Sequence, residues 1–366
     1  MKIYIFMKDV SLTGGTERVT VNLSSLFSKM GHDVTIVSYY HGKSPMTYQP
    51  SDNVKVTYLL NTKCPDEGNK LTRIRLFFKA LKELKFFLKN EKIDNNTIII
   101  SQNFFSNTLM WLAGNAKNTI GCEHFKYDLY PKLVSYIRCY IYSHLKCIVT
   151  LTEKDQKRFM EHIDAKKTAT IANMVIAKDG VEPNMDSKNI IAIGRLTAQK
   201  GFDMLIEAMK TVTNKHPEWI VNIFGEGEDK TMLQTQINNS NLQNNIILRG
   251  YSTNIDSEFC KSSFFVLSSR FEGFPLALIE ALGQGMPSVA FDCPEGPAQL
   301  LETGGGILVE KENVPKLAEA ICYMIEHPEF RKSCIEHKDY IRKHLAPEVI
   351  YKKWMNLFQQ LGYHIQ

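Results

Sequence analysis

A chain of 366 residues has room for one large or two medium domains and a sizeable core. Apolar content of 44% and charged content of 23% exclude a disordered or fibrous protein, and a net charge of +5 with its bases spread along the chain does not point to nucleic acid. The eight cysteines (64, 122, 139, 147, 260, 293, 322, 334) form no C-x-x-C pair, which argues for reduced thiols and against a disulfide framework or a zinc site. Residues 1–6 are too short for a signal peptide, and no run reaches the roughly 18 apolar residues of a membrane span. The expected location is therefore cytoplasmic, with any membrane association peripheral, at the inner face of the cytoplasmic membrane.

In chain order, Ile3-Tyr4-Ile5-Phe6 reads as a buried strand, followed by Gly14-Gly15-Thr16-Glu17-Arg18 and a helical pattern (Val19, Leu23, Leu26, Phe27, Met30) that stops at Gly31. Strand, Gly-rich loop and helix open a Rossmann-like unit, although a lone Gly14-Gly15 pair serves a tight turn as readily as an anion-binding loop. Residues 32–37 and 54–59 are further strands. Residues 71–90 form a helical pattern with Ile74, Phe77, Leu81, Leu84 and Leu88 on one face. Arg75, Lys79, Lys82 and Lys89 lie opposite, near Phe78 and Phe86. Six bases against the single acid Glu83 fit a membrane surface or a lipid-linked diphosphate, and equally the solvated face of a core-packed helix. Strands follow at 97–101 and before His124, with a helix through 109–113 between them. Taken alone, His124 is more often a satisfied structural histidine than a catalytic one. Residues 147–152 form another strand, Thr152 caps a helix, and 170–175 close the first half. The polar run 178–188 is the linker candidate.

The second half repeats the grammar: strand 189–194, loop Arg195 to Asp203, helix from Met204, then strands at 219–224 and 245–251. The apolar run Phe264-Phe265-Val266-Leu267 is a strand of a parallel sheet. It leads through Glu272-Gly273-Phe274-Pro275 into an apolar helix (Leu276, Leu278, Ile279, Leu282) with Gly283 and Gly285 as terminators. Pro275 suits a first helical position. The N–H groups of Gly273 to Leu276 are an expected phosphate site. The flanking carboxylates Glu272 and Glu280 are suited to hydroxyls rather than phosphate, so the stretch reads as a nucleotide-sugar site.

Glu272 and Glu280, seven residues between them and with Gly-Phe-Pro-Leu after the first, resemble the Glu-x7-Glu motif of retaining family 4 glycosyltransferases. Gly194-Arg195-Leu196 with Gln199-Lys200-Gly201-Phe202-Asp203, and Gly14-Gly15-Thr16-Glu17-Arg18-Val19, resemble two further motifs of that family. Where the family commonly has Asn-Pro, this chain has Asn173-Met174. The resemblance implies an α/β protein of the GT-B fold, two Rossmann-like domains facing across a cleft. The expected boundaries are 1–177 for an N-terminal acceptor-side domain, 178–188 for the linker and 189–346 for a C-terminal donor domain, with a helix at about 347–366 packing back on the first. It implies that Arg195 and Lys200 clamp the donor diphosphate, that Glu272 orients donor-sugar hydroxyls and Glu280 holds the ribose, and that Gly14 and Gly15 lie beside diphosphate and acceptor. His124 would hydrogen-bond a donor-sugar hydroxyl, and the segment Tyr251 to Ile255 would border the base.

The expected reaction moves a hexose or N-acetylhexosamine from a UDP-linked donor to a glycan or polyprenyl-diphosphate-linked acceptor. No Asp-x-Asp pair stands in a metal-binding loop, so no metal and no cofactor are expected. The alternatives are a sugar-nucleotide epimerase on the same fold and a non-catalytic nucleotide-binding scaffold at a membrane.

Overall fold

Two parallel sheets carry the chain, each built from short apolar runs that alternate with helices. The computed structural model describes residues 1–64, 69–91, 93–94, 96–294 and 296–364. The chain divides into two units, Met1–Asn173 with Ile350–Gln366, and Met174–Val349.

The first unit runs β1 (Lys2–Met7), α1 (Gly15–Lys29), β2 (Asp33–Ser38), β3 (Lys55–Tyr58), α2 (Lys70–Asn90), β4 (Ile98–Gln102), α3 (Asn103–Leu112), β5 (Thr119–Cys122), α4 (Lys132–Ser143), β6 (Cys147–Thr150), α5 (Glu153–Met160) and β7 (Thr168–Thr170). Its sheet has the Rossmann-like order β3-β2-β1-β4-β5-β6-β7. Parallel strands are covered on both faces, which is why Ile98, Ile99 and Ile100 form a continuous apolar run and are all fully buried. Phe77, Ala80, Leu81, Leu84 and Leu88 of α2 pack on Tyr4, Phe6 and Ile99. Phe87 stands edge-on to Tyr4 and Phe6, with ring centroids 5.5 and 5.7 Å apart. Ile74, expected on the core face, is 46% exposed because α2 meets the core only from Leu76 onward.

The second unit runs β8 (Asn189–Ile193), α6 (Phe202–Lys215), β9 (Ile220–Phe224), α7 (Lys230–Asn239), β10 (Ile246–Gly250), α8 (Ile255–Phe259), β11 (Phe264–Leu267), α9 (Leu276–Gly283), β12 (Ser288–Phe291), α10 (Pro297–Leu301), β13 (Gly306–Val309), α11 (Val314–Glu326), α12 (Pro328–Ser333) and α13 (His337–Leu345). The sheet order is β10-β9-β8-β11-β12-β13, all parallel. Leu205, Met209 and Val212 of α6 and Leu317 and Ile321 of α11 fill the core beside Ile190, Val221 and Phe264.

The run 178–188 belongs to the second unit. Its polar groups are engaged there: the Asn184 N–H donates to the Ser262 carbonyl at 3.0 Å, and Lys178 pairs with Asp256 at 2.6 Å. Helix α14 (Pro347–Gln360) joins the first unit from Ile350. Its Trp354 and Phe358 each lie 6.0 Å from the buried Phe27 of α1, and the Tyr351 hydroxyl meets His32 Nε2 at 2.9 Å. Among the described residues no helix is long and apolar enough to cross a membrane.

Candidate active site

In open parallel sheets, ligands bind outside the carboxyl ends of the strands where the strand order reverses. In the second unit that point lies between β8 and β11, and the loops leaving these two strands hold Arg195, Lys200, Glu272, Gly273, Phe274 and Pro275. Lys200 Nζ donates to Glu272 Oε1 at 2.6 Å, and Ser269 Oγ donates to the same oxygen at 2.6 Å. Glu272 is nearly buried while Lys200 keeps 20% of its side chain exposed, so the ammonium is fixed on a side chain that is not sealed from solvent.

The two loops are stapled together. Arg270 makes a bidentate pair with Asp203 at 2.8 and 2.7 Å and donates to the Ala198 carbonyl at 2.7 Å. Gln199 Nε2 donates to the Phe271 carbonyl at 3.0 Å. The Arg270 hydrogen bonds hold the Asp203 carboxyl below its usual range. Gly201 sits at φ +63, where a Cβ would stand 2.0 Å from the Ser268 carbonyl oxygen, so only glycine lets the loops close on one another.

Helix α9 starts one residue later than expected: Pro275 is its extended N-cap (φ −74, ψ 95) and Leu276 its first residue. Gly296, at φ +108, packs so closely that a Cβ would meet Pro275 Cδ at 2.5 Å. Gly273 and Phe274 precede the cap, and the first-turn N–H groups of α9 have no intrahelical acceptor. Glu280 lies within α9, partly buried, and Arg195 is exposed on the loop of Lys200. Cys293 beside Glu272 is no nucleophile, because burial pushes its thiol up to about 12. Tyr251, 47% exposed after β10, lines a cavity of about 530 Å³ with Asn222, Arg249 and Lys261. Ile255 opens α8.

In the first unit the order reverses between β1 and β4. Gly14 is the N-cap of α1 at φ −173, a conformation open to any residue, so what Gly14 and Gly15 contribute there is bare backbone. His124 follows β5, and the register that sets Gln102 opposite Cys122 brings it to Gln102. His124 Nε2 is hydrogen-bonded to Gln102 Oε1. An amide oxygen only accepts, so the ring proton sits on Nε2 and Nδ1 carries the lone pair. Burial lowers the His124 pKa to about 4, and the ring is neutral at physiological pH.

Beneath it, Glu123 is a fully buried hub. Its Oε1 accepts the N–H groups of His124 and Phe125 at 3.1 and 3.2 Å, and its Oε2 accepts the Tyr142 hydroxyl at 2.7 Å and faces Arg138 at 3.5 Å. Burial raises the Glu123 pKa while Arg138 opposes that. Arg75, Lys79, Lys82 and Lys89 are exposed along α2.

Sequence reading passed over Ser269, Arg270, Asp203, Gln102, Glu123 and Arg138 as functional residues. Arg270 reaches a partner 67 residues away and Gln102 one 22 away, distances set by strand order rather than by local pattern. The available signal was proximity: Ser269, Arg270, Asp203 and Glu123 each stand within three residues of a singled-out site residue.

Residues 176–339 match the family described as glycosyl transferases group 1, and residues 13–178 match glycosyltransferase family 4. The amylovoran biosynthesis glycosyltransferase AmsD of Erwinia amylovora is 27% identical over 97% of this chain and 99% of its own length. An N-acetylgalactosamine-N,N'-diacetylbacillosaminyl-diphospho-undecaprenol 4-alpha-N-acetylgalactosaminyltransferase of Campylobacter jejuni is 24% identical over 91% of this chain and 92% of its own. A variant of TarM from S. aureus, crystallised with fondaparinux, alpha-GlcNAc-glycerol and UDP, superposes with a TM-score of 0.80 at 18% identity, over 98% of this chain and all of that one.

Proposed function

This chain belongs to the family 4 glycosyltransferases, and from that premise we propose that it is a retaining, metal-independent enzyme transferring a hexose or N-acetylhexosamine from UDP to a glycan carried on a polyprenyl diphosphate. The observation that carries this reading is the Lys200–Glu272 pair at the reversal point of the second sheet. A buried carboxylate holds a partly accessible ammonium beside a helix start, which is the equipment for a departing diphosphate.

In this reading Arg195, Lys200 and the first turn of α9 neutralise the charge that grows on the diphosphate as the glycosidic bond breaks. The acceptor oxygen bonds the anomeric carbon on the face the diphosphate leaves, and the acceptor proton passes to the departing diphosphate oxygen. Two fixed cations can do this without a metal. Glu272 and Glu280 accept hydrogen bonds from sugar and ribose hydroxyls, and the cavity beside Tyr251 borders the base. A neutral His124 contacts a sugar hydroxyl rather than acting as a base. The lipid-linked acceptor is supported by the Campylobacter relative, whose name places its acceptor on diphospho-undecaprenol, and by the bases of α2. No observation favours the epimerase or scaffold readings.

The test is thermal unfolding with UDP, GDP and ADP, each with and without EDTA. Stabilisation by UDP alone, by about 2.7 kcal/mol at a hundredfold excess over Kd and insensitive to EDTA, is the expected result. Stabilisation by another nucleotide overturns the UDP assignment, and no stabilisation by any overturns the donor site.

A further inference from the structure

The two faces of the second sheet differ near its β10 edge. Ile190, Ala192, Val221, Ile223 and Ile246 turn towards α6 and α11 and join the core there. The alternation of a strand sends Asn189 and Asn222 to the opposite face. Asn222 is 7% exposed in the middle of β9, where a covered parallel sheet ordinarily carries another aliphatic residue. It belongs to a relay of side chains across three neighbouring strands. Arg249 Nε donates to Asn222 Oδ1 at 2.8 Å, Asn222 Nδ2 donates to Asn189 Oδ1 at 3.2 Å, and Asn189 Nδ2 donates to the Lys261 carbonyl at 3.3 Å. In β10, Leu248 and Gly250 stand opposite the consecutive residues Ile223 and Phe224. Arg249 is thus the extra residue of a bulge, a device that re-aims a side chain. Among the described residues its Nη1 and Nη2 have no hydrogen-bond or ion-pair partner.

The relay lines the cavity of about 530 Å³ that Tyr251 also borders, with Glu258 of α8 and Lys261 beyond it as further walls. We propose that this cavity is a second ligand site, taking a small polyhydroxylated anion: a sugar that carries one phosphate or one carboxylate. Its volume is that of an ordinary small-molecule pocket. The charge selects an anion. Arg249 and Lys261 stand against one carboxylate, Glu258, which pairs with Lys261 at 2.8 Å. The excess charge is the Arg249 guanidinium. Asn222 holds it through Nε, which leaves the two terminal nitrogens as a fork that fits a phosphate or carboxylate. Hydroxyls of the same ligand meet the Glu258 carboxylate and the Tyr251 hydroxyl. An arginine that only faces solvent needs no such relay. Amides on a sheet face cost stability unless they are hydrogen-bonded, and here their hydrogen bonds end on Arg249. The inference stands apart from the donor reading, because no residue assigned to the diphosphate or the donor sugar lines this cavity; Tyr251, assigned to the border of the base, is the shared wall.

Titration calorimetry of the whole protein with glucose 6-phosphate, glucuronate, inorganic phosphate and glucose, each with and without saturating UDP, tests it. One of the two sugar anions is expected to bind about tenfold or more tightly than inorganic phosphate or glucose, with UDP making no difference. Binding of glucose 6-phosphate alone identifies phosphate as the anchored group, and binding of glucuronate alone identifies carboxylate. Arg249→Gln keeps a donor for Asn222 and removes the charge, and should weaken binding about tenfold or more. In the parent, the Arg249 Nε–H signal, sheltered by Asn222, should shift in ¹H–¹⁵N spectra as the probe binds, a readout that needs no variant to fold. Binding of neither sugar anion, parental binding by Arg249→Gln, or an unmoved Arg249 signal overturns the proposal. So does inorganic phosphate binding as tightly as the sugar phosphate, or displacement of the probe by UDP, which would put the anion in the diphosphate site. A protein that ignores UDP yet binds a sugar anion through Arg249 fails the donor reading and keeps this one.

Discussion

At the β8 and β11 loops a lysine and a glutamate meet at 2.6 Å with Lys200 still 20% exposed, whereas at the end of β5 the ion pair of Glu123 and Arg138 is wholly buried and the group presented beyond it, His124, is neutral. Both regions use a carboxylate to hold a cation, to different ends. In the second unit the cation keeps part of its side chain at the surface, where the proposed donor diphosphate would meet it. In the first, both charges are spent inside: Glu123 gathers the N–H groups of His124 and Phe125, and Arg138 compensates the buried carboxylate. Charge placed at a surface recognises, and charge placed in a core positions.

The sharpest way to break this contrast is Glu123→Ala. It leaves Arg138 charged, buried and unpaired, and should cost about 3–5 kcal/mol of stability in urea unfolding. A loss below about 1 kcal/mol, the scale of an exposed pair, would make the two regions alike. Lys200→Ala should cost less stability than Glu123→Ala, because Ser269 still donates to Glu272 and this pair is less deeply buried, while lowering kcat by about 10²–10³-fold, or 2.7–4 kcal/mol of transition-state stabilisation. Near-parental turnover would remove Lys200 from the chemistry.

The smallest effect is a titration. The folded pKa of His124, about 4, lies below its unfolded value. The stability this contributes is therefore full above the unfolded pKa and is lost as the pH falls from there towards 4. Ring signals followed by NMR from pH 8 to 5 should show His124 neutral throughout, with its single ring proton on Nε2. A midpoint near 6.5 would place the ring in solvent and remove the contrast.

The architecture was legible because a parallel sheet announces itself in continuous apolar runs, as at Ile98–Ile100 and Phe264–Leu267. Strand β7 escaped notice because Thr168-Ala169-Thr170 has no such run. Helix α4 escaped because its pattern is inverted, with Arg138 inward and Leu133, Tyr136 and Ile137 outward. At the site, the Glu272 and Glu280 spacing and the Lys200 loop could be read locally. The contact of Lys200 with Glu272 spans 72 residues and that of His124 with Gln102 spans 22. Both follow from which strands are neighbours, which no window of sequence contains.

Helix α14 also ties the fold to the order of synthesis. It covers Phe27, which is fully buried, so the α1 side of the first unit lacks its cover until translation has passed Phe358. The half of the chain made first is finished after the half made second. A nascent chain that ends at Leu345 would already contain a complete second sheet, yet still display an uncovered aromatic patch near its start. A premature stop that removes only α14 would injure the opposite end of the polypeptide, and quality control would read the damage there.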